Sequence, residues 1–406
     1  MFTSPKEIDN LLKKHQNYRE GCLNLIASEN YASDFVRGRQ TSDLGNRYGC
    51  YETGNPINRE YTGNRYIHEF EMHTQELVCD IFRAKYADLR PISGHMAGMA
   101  VVLAMLEVGD LVIEVSLEDW GHGLVAPMCR ISQLGKTVRV EYMPFDKDGA
   151  VDFEGLERQV RRLGPKLVIF GGSGTIFPEP VREFRPIADE LGILVAYDAA
   201  HVTGLIAGGV MPNPLAEGAD IMFGSTHKSF PGPQGGFVVS NRKDLMDKLG
   251  NTISPSLVTS HHLQRLPALA AAILEMKAFG REYAAEIVKN TKALSKALDE
   301  YGFKVRGKER GYSQTHIVLL EMNVEEESVA KRLESADILC SDDFSGQSGD
   351  VRLGTQEVTR RGMKEAEMEQ IAALIKRVMV DREDIKTVKR DVGELSRRFT
   401  GVEYCY

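Results

Sequence analysis

Short apolar runs alternate with helix-like stretches between about residues 70 and 245, and no other feature constrains the fold of this chain as much. The runs are Leu111–Ile113, Leu167–Phe170, Ile193–Tyr197, Ile221–Phe223 and Gly236–Val239. Strands separated by helices predict a mostly parallel, doubly wound sheet, and ligands of such sheets collect at the carboxyl ends of the strands. We therefore expect an α/β domain whose functional residues follow the ends of these runs.

Two further regions flank this domain. Residues 5–20 mix apolar and charged side chains in a pattern that predicts an amphipathic helix, and such an N-terminal arm often packs on a partner subunit. After about residue 265 the pattern becomes helix, strand, helix, polar loop (341–350), short strand and helix, which indicates a smaller α+β domain. From these patterns and a length of 406 residues we expect an N-terminal arm (1–30), a large domain (31–265) and a small C-terminal domain (266–406).

Composition excludes several classes of protein. An apolar content of 42% and a charged content of 27% are typical of globular proteins, and a net charge of −8 gives no electrostatic reason to expect nucleic acid or an anionic membrane as partner. The chain has no apolar run of membrane-spanning length and no signal-peptide pattern at its start. Its six cysteines lack the spacing of a zinc site or a disulfide framework, so we expect no metal and a cytoplasmic location.

Two charged residues follow two of the apolar runs. Asp198 ends the run Ile193–Tyr197, and Lys228 follows Ile221–Phe223 in a turn rich in glycine and proline. Pyridoxal phosphate (PLP) needs a lysine amine that holds its aldehyde as a Schiff base. It also needs an aspartate that keeps its pyridine nitrogen protonated, so that the ring accepts electrons. Together these residues predict a PLP site rather than two unrelated surface charges.

Other residues fit the same hypothesis, each with a plainer alternative. Ser93 and Gly94 open a predicted helix. Taken alone, this segment favours an ordinary serine cap, but beside Asp198 and Lys228 it favours a helix N-terminus that binds a phosphate. His122 follows a strand and could stack on the pyridine ring, whereas a loop histidine is usually structural. Arg352 lies between apolar residues in a short strand, where it could bind an amino-acid carboxylate or form an internal salt bridge.

Eight short segments match the motifs of one enzyme family in that family's order, over about residues 20 to 380. The segments are Leu25–Tyr31, Ser93–Gly94, Gly121–His122, Asp198–Leu205, Thr226–Lys228, Gly232–Gly236, Val351–Thr355 and Thr359–Gly362. In these segments the chain resembles serine hydroxymethyltransferase, a fold type I PLP enzyme. The resemblance implies a mostly parallel seven-stranded sheet and cleavage of the Cα–Cβ bond of a β-hydroxy amino acid. It also implies one-carbon transfer to tetrahydrofolate or another tetrahydropterin.

The resemblance also implies a role for each matching residue. Lys228 would bind PLP covalently, Asp198 would pair with the pyridine nitrogen, and His122 would stack on the ring. Further cofactor contacts would come from Ser93, Gly94, His95, Ser173, His201, Thr226, His227, Gly236 and either Tyr48 or Tyr51 of a neighbouring subunit. Ser28 and Arg352 would bind the substrate carboxylate, with Tyr61 close by. Such shared sites require a homodimer or a dimer of dimers.

The chain also departs from the family pattern around the catalytic acid and the pterin. Extra residues before Arg59 leave Glu52 as the favoured acid, with Cys50 or Thr53 in that position in other registers. His95 stands in place of a serine, Gly123 in place of a leucine of the folate pocket, and the loop 341–350 is short. These changes keep alternatives open, namely a pterin-independent aldolase or transaldolase, an amino-acid racemase, and a non-catalytic PLP-binding protein.

Overall fold

The computed structural model describes residues 1–51, 55–59, 61–125, 138–322, 328–342 and 350–406. Numbered along the chain, its strands are β1 (Leu23–Asn24), β2 (Tyr86–Asp88), β3 (Leu111–Glu114), β4 (Arg139–Tyr142), β5 (Leu167–Phe170), β6 (Leu194–Asp198), β7 (Ile221–Ser225), β8 (Gly236–Ser240), β9 (Lys304–Val305), β10 (Ile317–Glu321), β11 (Ile338–Leu339), β12 (Ser341–Asp342) and β13 (Val351–Gly354).

The α-helices of the described residues are numbered in the same way. They are α1 (Pro5–Glu20), α2 (Asp34–Arg37), α3 (Arg65–Phe82), α4 (Gly94–Met105), α5 (Phe153–Leu163), α6 (Val181–Leu191), α7 (Thr203–Ala207), α8 (Pro214–Glu217), α9 (Lys243–Asn251), α10 (Arg265–Glu300), α11 (Val329–Ser335), α12 (Gln356–Arg360), α13 (Glu365–Met379) and α14 (Ile385–Arg397). None of these helices is long and apolar enough to cross a membrane.

The chain folds into two compact units. The large unit comprises residues 28–285 and 404–406, and the small unit comprises residues 1–27 and 286–403. These bounds differ from the expected ones, since residues 1–27 group with residues 286–403 and the division of the C-terminal part falls at residue 285. Helix α1 itself buries none of its residues. Helix α10 begins in the large unit and continues into the small unit.

The large unit contains a seven-stranded sheet in the order β2-β8-β7-β6-β5-β3-β4. Along this order, each neighbouring pair from β7 to β4 is parallel, whereas β8 pairs antiparallel with both β7 and β2. Strands β5 and β7 are buried along their whole length, as expected for central strands covered by helices on both faces. The predicted fold, a mostly parallel seven-stranded sheet of the α/β class, is confirmed.

Local sequence explains where the helices near the site begin and end. The side chain of Ser93 caps α4 by accepting a hydrogen bond from the Met96 backbone N–H at 3.1 Å, and Asp152 caps α5 in the same way. Helices α5 and α6 end at Gly164 and Gly192, whose left-handed backbone conformation favours glycine. The start of α4 lies beside the carboxyl end of β7, because a Cβ atom at Gly94 would come within 3.2 Å of the Ser225 backbone nitrogen.

The small unit has the α+β character expected of the C-terminal part of the chain. A four-stranded antiparallel sheet has the order β12-β13-β10-β9, and β1 pairs in parallel with β11. Its core joins strand residues such as Leu320 and Leu353 to helix residues such as Leu294 and Ile371.

A buried carboxylate organises one region of the large unit. Glu71 of α3 accepts a hydrogen bond from the Tyr51 hydroxyl at 2.8 Å, lies 3.1 Å from His261 Nε2 and forms an ion pair with Arg59. Burial alone would raise the pKa of Glu71, but the contacts with His261, Arg59 and Tyr51 outweigh it and lower the pKa to about 2. The carboxylate is therefore ionised at neutral pH and links three separate segments of the unit.

Replacing Glu71 should destabilise the protein in a pH-dependent way. We expect Glu71→Gln to lower the free energy of unfolding by about 3–5 kcal/mol at pH 7, because the buried Arg59 guanidinium loses its counterion. The contribution of Glu71 is complete above its ordinary pKa of 4.5 and is lost as the pH falls through about 2. Urea unfolding of the variant, with the exposed Glu69→Gln as control, measures this. A loss of the same size at pH 7 in both variants would contradict the role of Glu71.

Candidate active site

Asp198 provides a buried negative charge at the end of β6. Its side chain is 3% exposed, Oδ1 accepts a hydrogen bond from the Ala200 N–H at 2.9 Å, and Oδ2 lies 2.6 Å from His122 Nδ1. Burial favours the neutral acid, but His122, the Ala200 N–H and Lys228 together lower the pKa of Asp198 below its ordinary value. The ionised carboxylate is the partner that a protonated pyridine nitrogen requires.

Two other predicted residues, His201 and Lys228, lie in the same region as this carboxylate and His122. The His201 ring is buried and stacks near the His122 ring, with 5.5 Å between their centroids. Lys228 lies in the turn after β7, and its positive charge contributes to the lowered pKa values of Asp198, His227 and His95. Because β6 and β7 are parallel neighbours in which Asp198 pairs with Phe223, the residues that follow both strands emerge at one edge of the sheet.

Glycines form a narrow cradle beside Lys228. A Cβ atom at Gly94 would lie 2.2 Å from Ser225 Oγ, and a Cβ atom at Gly236 would lie 2.1 Å from the Ser93 carbonyl oxygen. These distances allow only glycine at both positions. The start of α4 and the backbone of β8 therefore approach each other where a helix N-terminus can bind an anion.

The phosphate of PLP fits this cradle. His227 Nδ1 is a buried atom without a hydrogen-bond partner among the described residues. Burial, Lys228 and Arg265 lower the pKa of His227 to about 4, so the ring is neutral at pH 7. A phosphate oxygen would satisfy the orphaned nitrogen. His95 lies in the first turn of α4, where burial and the charges of His122 and Lys228 outweigh Asp198 and lower its pKa.

Three predicted cofactor contacts hold the protein's own loops together. The Gly236 N–H donates to the Pro91 carbonyl at 3.0 Å and is therefore already used. This corrects the prediction that Gly236 binds the phosphate: its lack of a side chain instead permits the close approach of the Ser93 backbone. Thr226 Oγ1 donates to the Pro233 carbonyl at 2.5 Å. Ser173 Oγ donates to the Trp120 carbonyl at 2.8 Å, which fixes the loop that leads to His122.

The two candidate tyrosines differ in accessibility. Tyr51 is fully buried and its hydroxyl donates to Glu71, which argues against its role as a phosphate ligand for a neighbouring subunit. Tyr48 is 44% exposed, and its ring lies 4.8 Å from that of Tyr61, centroid to centroid. Tyr48 is therefore the better candidate. The predicted acid Glu52 and its alternative Thr53 lie outside the described residues, and Cys50 is half-buried.

Arg352 is a buried cation of the small unit. It lies in β13, is 1% exposed, and its Nε donates to Ser341 Oγ at 3.3 Å. Burial lowers the pKa of Arg352 to about 10, so the guanidinium is charged at neutral pH. Ser28, which was predicted to act with it, is the first residue of the large unit.

Sequence reasoning missed three residues that support the site. They are Glu71, Arg265 and Asn30. The Asn30 side-chain amide donates to the Lys228 carbonyl at 2.7 Å. Glu71 shares its helical face with Ile67, Thr74 and Val78, so a charge at a core position of the helical pattern was a usable signal. Arg265 stood out in no pattern.

Comparisons with known proteins agree with this geometry. A model of the serine hydroxymethyltransferase family matches residues 1–375. The serine hydroxymethyltransferase of Methanobrevibacter smithii is 41% identical over 98% of this chain and 95% of its own length. That of Pyrococcus furiosus is 40% identical over 98% of this chain and 96% of its own length. This chain belongs to the serine hydroxymethyltransferase family.

The family assignment confirms the prediction of a PLP-dependent enzyme rather than a non-catalytic protein. The crystal structure of an L-threonine transaldolase from Pseudomonas fluorescens, in its internal aldimine state, is also similar. It is 29% identical with a TM-score of 0.90, covering 98% of this chain and 93% of the transaldolase chain. This serine hydroxymethyltransferase family member thus shares its fold with an enzyme named for a different reaction.

The covalent link to the cofactor gives a direct test of the site. We expect the purified protein to be yellow and borohydride to fix PLP to Lys228, because this lysine follows β7 beside Asp198. Peptide mapping after reduction identifies the labelled residue. Lys228→Ala should abolish the label, whereas Lys243→Ala, which removes an exposed lysine paired with Asp247, should not. A label on any other lysine would disprove the assignment.

Proposed function

We propose that this chain interconverts serine and glycine with one-carbon transfer to a tetrahydropterin, using the Asp198, His122 and Lys228 constellation. The observation that carries the proposal is the ionised, buried Asp198 carboxylate within reach of His122 and in the field of Lys228. When bound, PLP supplies an electron sink for the carbanion left by cleavage of the Cα–Cβ bond. The other steps depend on residues of this chain.

Asp198 and its neighbours hold the proton that makes the electron sink effective. A carboxylate with a lowered pKa stays ionised beside the pyridine nitrogen and keeps a proton on that nitrogen. His122 orients this carboxylate through its Nδ1 contact and, in our proposal, covers one face of the ring. The stacked His201 ring limits the orientations that are open to His122.

Glu52 is the residue that we propose to move a proton at the substrate hydroxyl. Residues on both sides of its segment, Tyr51 and Arg59, bind the same Glu71 carboxylate. Cys50 and Thr53 are the alternatives in other registers, but a carboxylate is ionised at neutral pH and can accept a proton there, whereas an ordinary thiol is mostly protonated.

Arg352 is our candidate for the substrate carboxylate, with Ser28 and Tyr61 as further contacts. A buried, charged guanidinium that donates to a neutral hydroxyl is suited to a bidentate anion.

We also propose a homodimer, or a dimer of dimers, in the cytoplasm. Large apolar side chains of the large unit are exposed, including Tyr48 at 44%, Tyr61 at 51% and Tyr66 at 66%. A second copy that covers them would bring Tyr48 to a neighbouring cofactor site. Among the cysteines that the structure describes, none forms a disulfide, in keeping with a reducing compartment.

A specific observation favours a second candidate, a pterin-independent transaldolase or aldolase. Gly123 has a φ of +55°, and a Cβ atom there would lie 3.0 Å from Leu117 Cδ2. The Leu117 side chain therefore occupies space next to the position where the family has a leucine. The position of Leu117 supports a pterin pocket that differs from that of the family, and the similar fold of the transaldolase supports this second candidate.

Arg352 should control amino-acid affinity without controlling cofactor binding. We expect Arg352→Ala to weaken glycine binding by roughly thirtyfold or more, because truncating one partner of a buried charge pair costs about 2–5 kcal/mol. Spectral titration with glycine measures the affinity while bound PLP is monitored by its absorbance. Arg306→Ala, at a partly exposed arginine of the small unit, serves as the control. Unchanged glycine affinity in the Arg352 variant would refute the role.

The choice of cosubstrate separates the two candidate functions. We expect serine conversion to rise saturably with a tetrahydropterin, but weakly with ordinary tetrahydrofolate, because a lost leucine side chain forfeits about 0.8 kcal/mol per buried methylene. Products are measured from serine with tetrahydrofolate, with tetrahydromethanopterin and with neither, beside threonine and allo-threonine without a carrier. Threonine cleavage that no carrier stimulates would favour the aldolase. Strong stimulation by tetrahydrofolate would show that Gly123 leaves the pocket intact.

A further inference from the structure

Arg265 is a buried arginine that binds backbone rather than an acidic side chain. It begins α10 and is 3% exposed. Its Nη1 donates to the Leu89 and Pro91 carbonyls, both at 2.8 Å, and its Nη2 donates to the Gly236 carbonyl at 2.7 Å. One guanidinium thus connects the segment before Ser93 to the start of β8.

These two segments are the arms of the glycine cradle. The Gly236 N–H donates to the same Pro91 carbonyl that accepts from Arg265. A Cβ atom at Gly235 would lie 2.3 Å from Arg265 Cζ, so the guanidinium packs directly on the backbone at the end of the glycine-rich turn. Removal of Arg265 would take one hydrogen-bond donor from the Leu89, Pro91 and Gly236 carbonyls, although the Pro91 carbonyl would keep the Gly236 N–H.

The charge of Arg265 lacks a direct counterion. Its Nε has no hydrogen-bond partner among the described residues, and in the same part of the chain no acidic side chain forms an ion pair with it. Burial lowers the pKa of Arg265 to about 10, against the raising influence of Glu71 and Asp88, so the group is cationic at pH 7. A buried cation in this state is costly unless an anion comes close.

The positive charge of Arg265 also acts on His227, one of the residues proposed to bind the phosphate. Arg265 contributes to the lowered pKa of His227, after burial and Lys228. Nearby Arg90 shows the contrasting arrangement, because it is equally buried but pairs with Asp88. One buried arginine of this region therefore has a direct carboxylate partner, whereas the other, among the described residues, has only the more distant Glu71 and Asp88 and donates to the carbonyls of the cradle.

We infer that Arg265 is a positioning residue for the cofactor phosphate, which holds both arms of the cradle and supplies the buried positive charge that the phosphate compensates. The inference rests on the proposed phosphate position at Ser93, Gly94 and His227. It extends that proposal, since Arg265 acts from behind the cradle through backbone carbonyls. Its consequence is selectivity for the phosphorylated form of the cofactor over pyridoxal.

The test compares the affinities of the full-length protein, freed of cofactor, for PLP and for pyridoxal, which lacks the phosphate. We expect Arg265→Met to weaken PLP binding about tenfold or more while pyridoxal affinity changes much less, because only PLP loses a buried charge interaction. Arg265→Lys keeps the charge but not the planar fork, so the ratio of the two affinities should fall to an intermediate value. Inorganic phosphate should compete with PLP less well in both variants.

The control is Arg90→Met, which disrupts a buried arginine that already has a counterion. It should weaken the binding of both aldehydes to a similar extent. If PLP and pyridoxal lose affinity by the same factor in the Arg265 variants, the ratio of their affinities is unchanged. That result would show a purely structural role and overturn the inference. If Arg265→Met does not fold, the ratio in Arg265→Lys decides by the same criterion. A wild-type protein that binds both aldehydes equally would instead overturn the phosphate site itself.

Discussion

The parallel pairing of β6 and β7 is the constraint on which the site depends. It brings the residues after both strands to one edge of the sheet, so that a carboxylate and a lysine 30 positions apart in sequence share one electrostatic environment. The buried Asp198 carboxylate stays ionised because His122, the Ala200 N–H and Lys228 together outweigh the effect of burial on its pKa. The position of Asp198 is thus set by the strand pairing, and its charge is what the chemistry of the site requires.

Buried charges in this protein fall into two groups with different consequences. Glu71 and Arg90 each have a charged partner, Arg59 and Asp88 respectively, and both pairs hold segments of the large unit together. Arg265 binds backbone carbonyls, so its charge remains available to an anion. A buried charge without a protein counterion is expensive, and we interpret it as a sign of ligand binding.

Much of the fold and the centre of the site could be predicted from sequence. Central parallel strands are buried on both faces and therefore read as continuous apolar runs, and Asp198 and Lys228 follow such runs directly. Predictions about groups whose hydrogen-bond or packing partners are distant in sequence were less accurate. The Gly236 N–H is used by Pro91 and the Tyr51 hydroxyl by Glu71. Residues 404–406 join the large unit, where Tyr404 packs on Tyr283. Local pattern contains none of these contacts.

The most direct test of the central claim is the protonation state of the pyridine nitrogen in the bound cofactor. It can be measured by NMR on protein loaded with PLP that carries ¹⁵N in the ring. The account predicts a protonated nitrogen at neutral pH in the wild type and an unprotonated nitrogen in Asp198→Asn, because an amide cannot stabilise the pyridinium charge. An unprotonated nitrogen in the wild type, or the same state in both proteins, would contradict it.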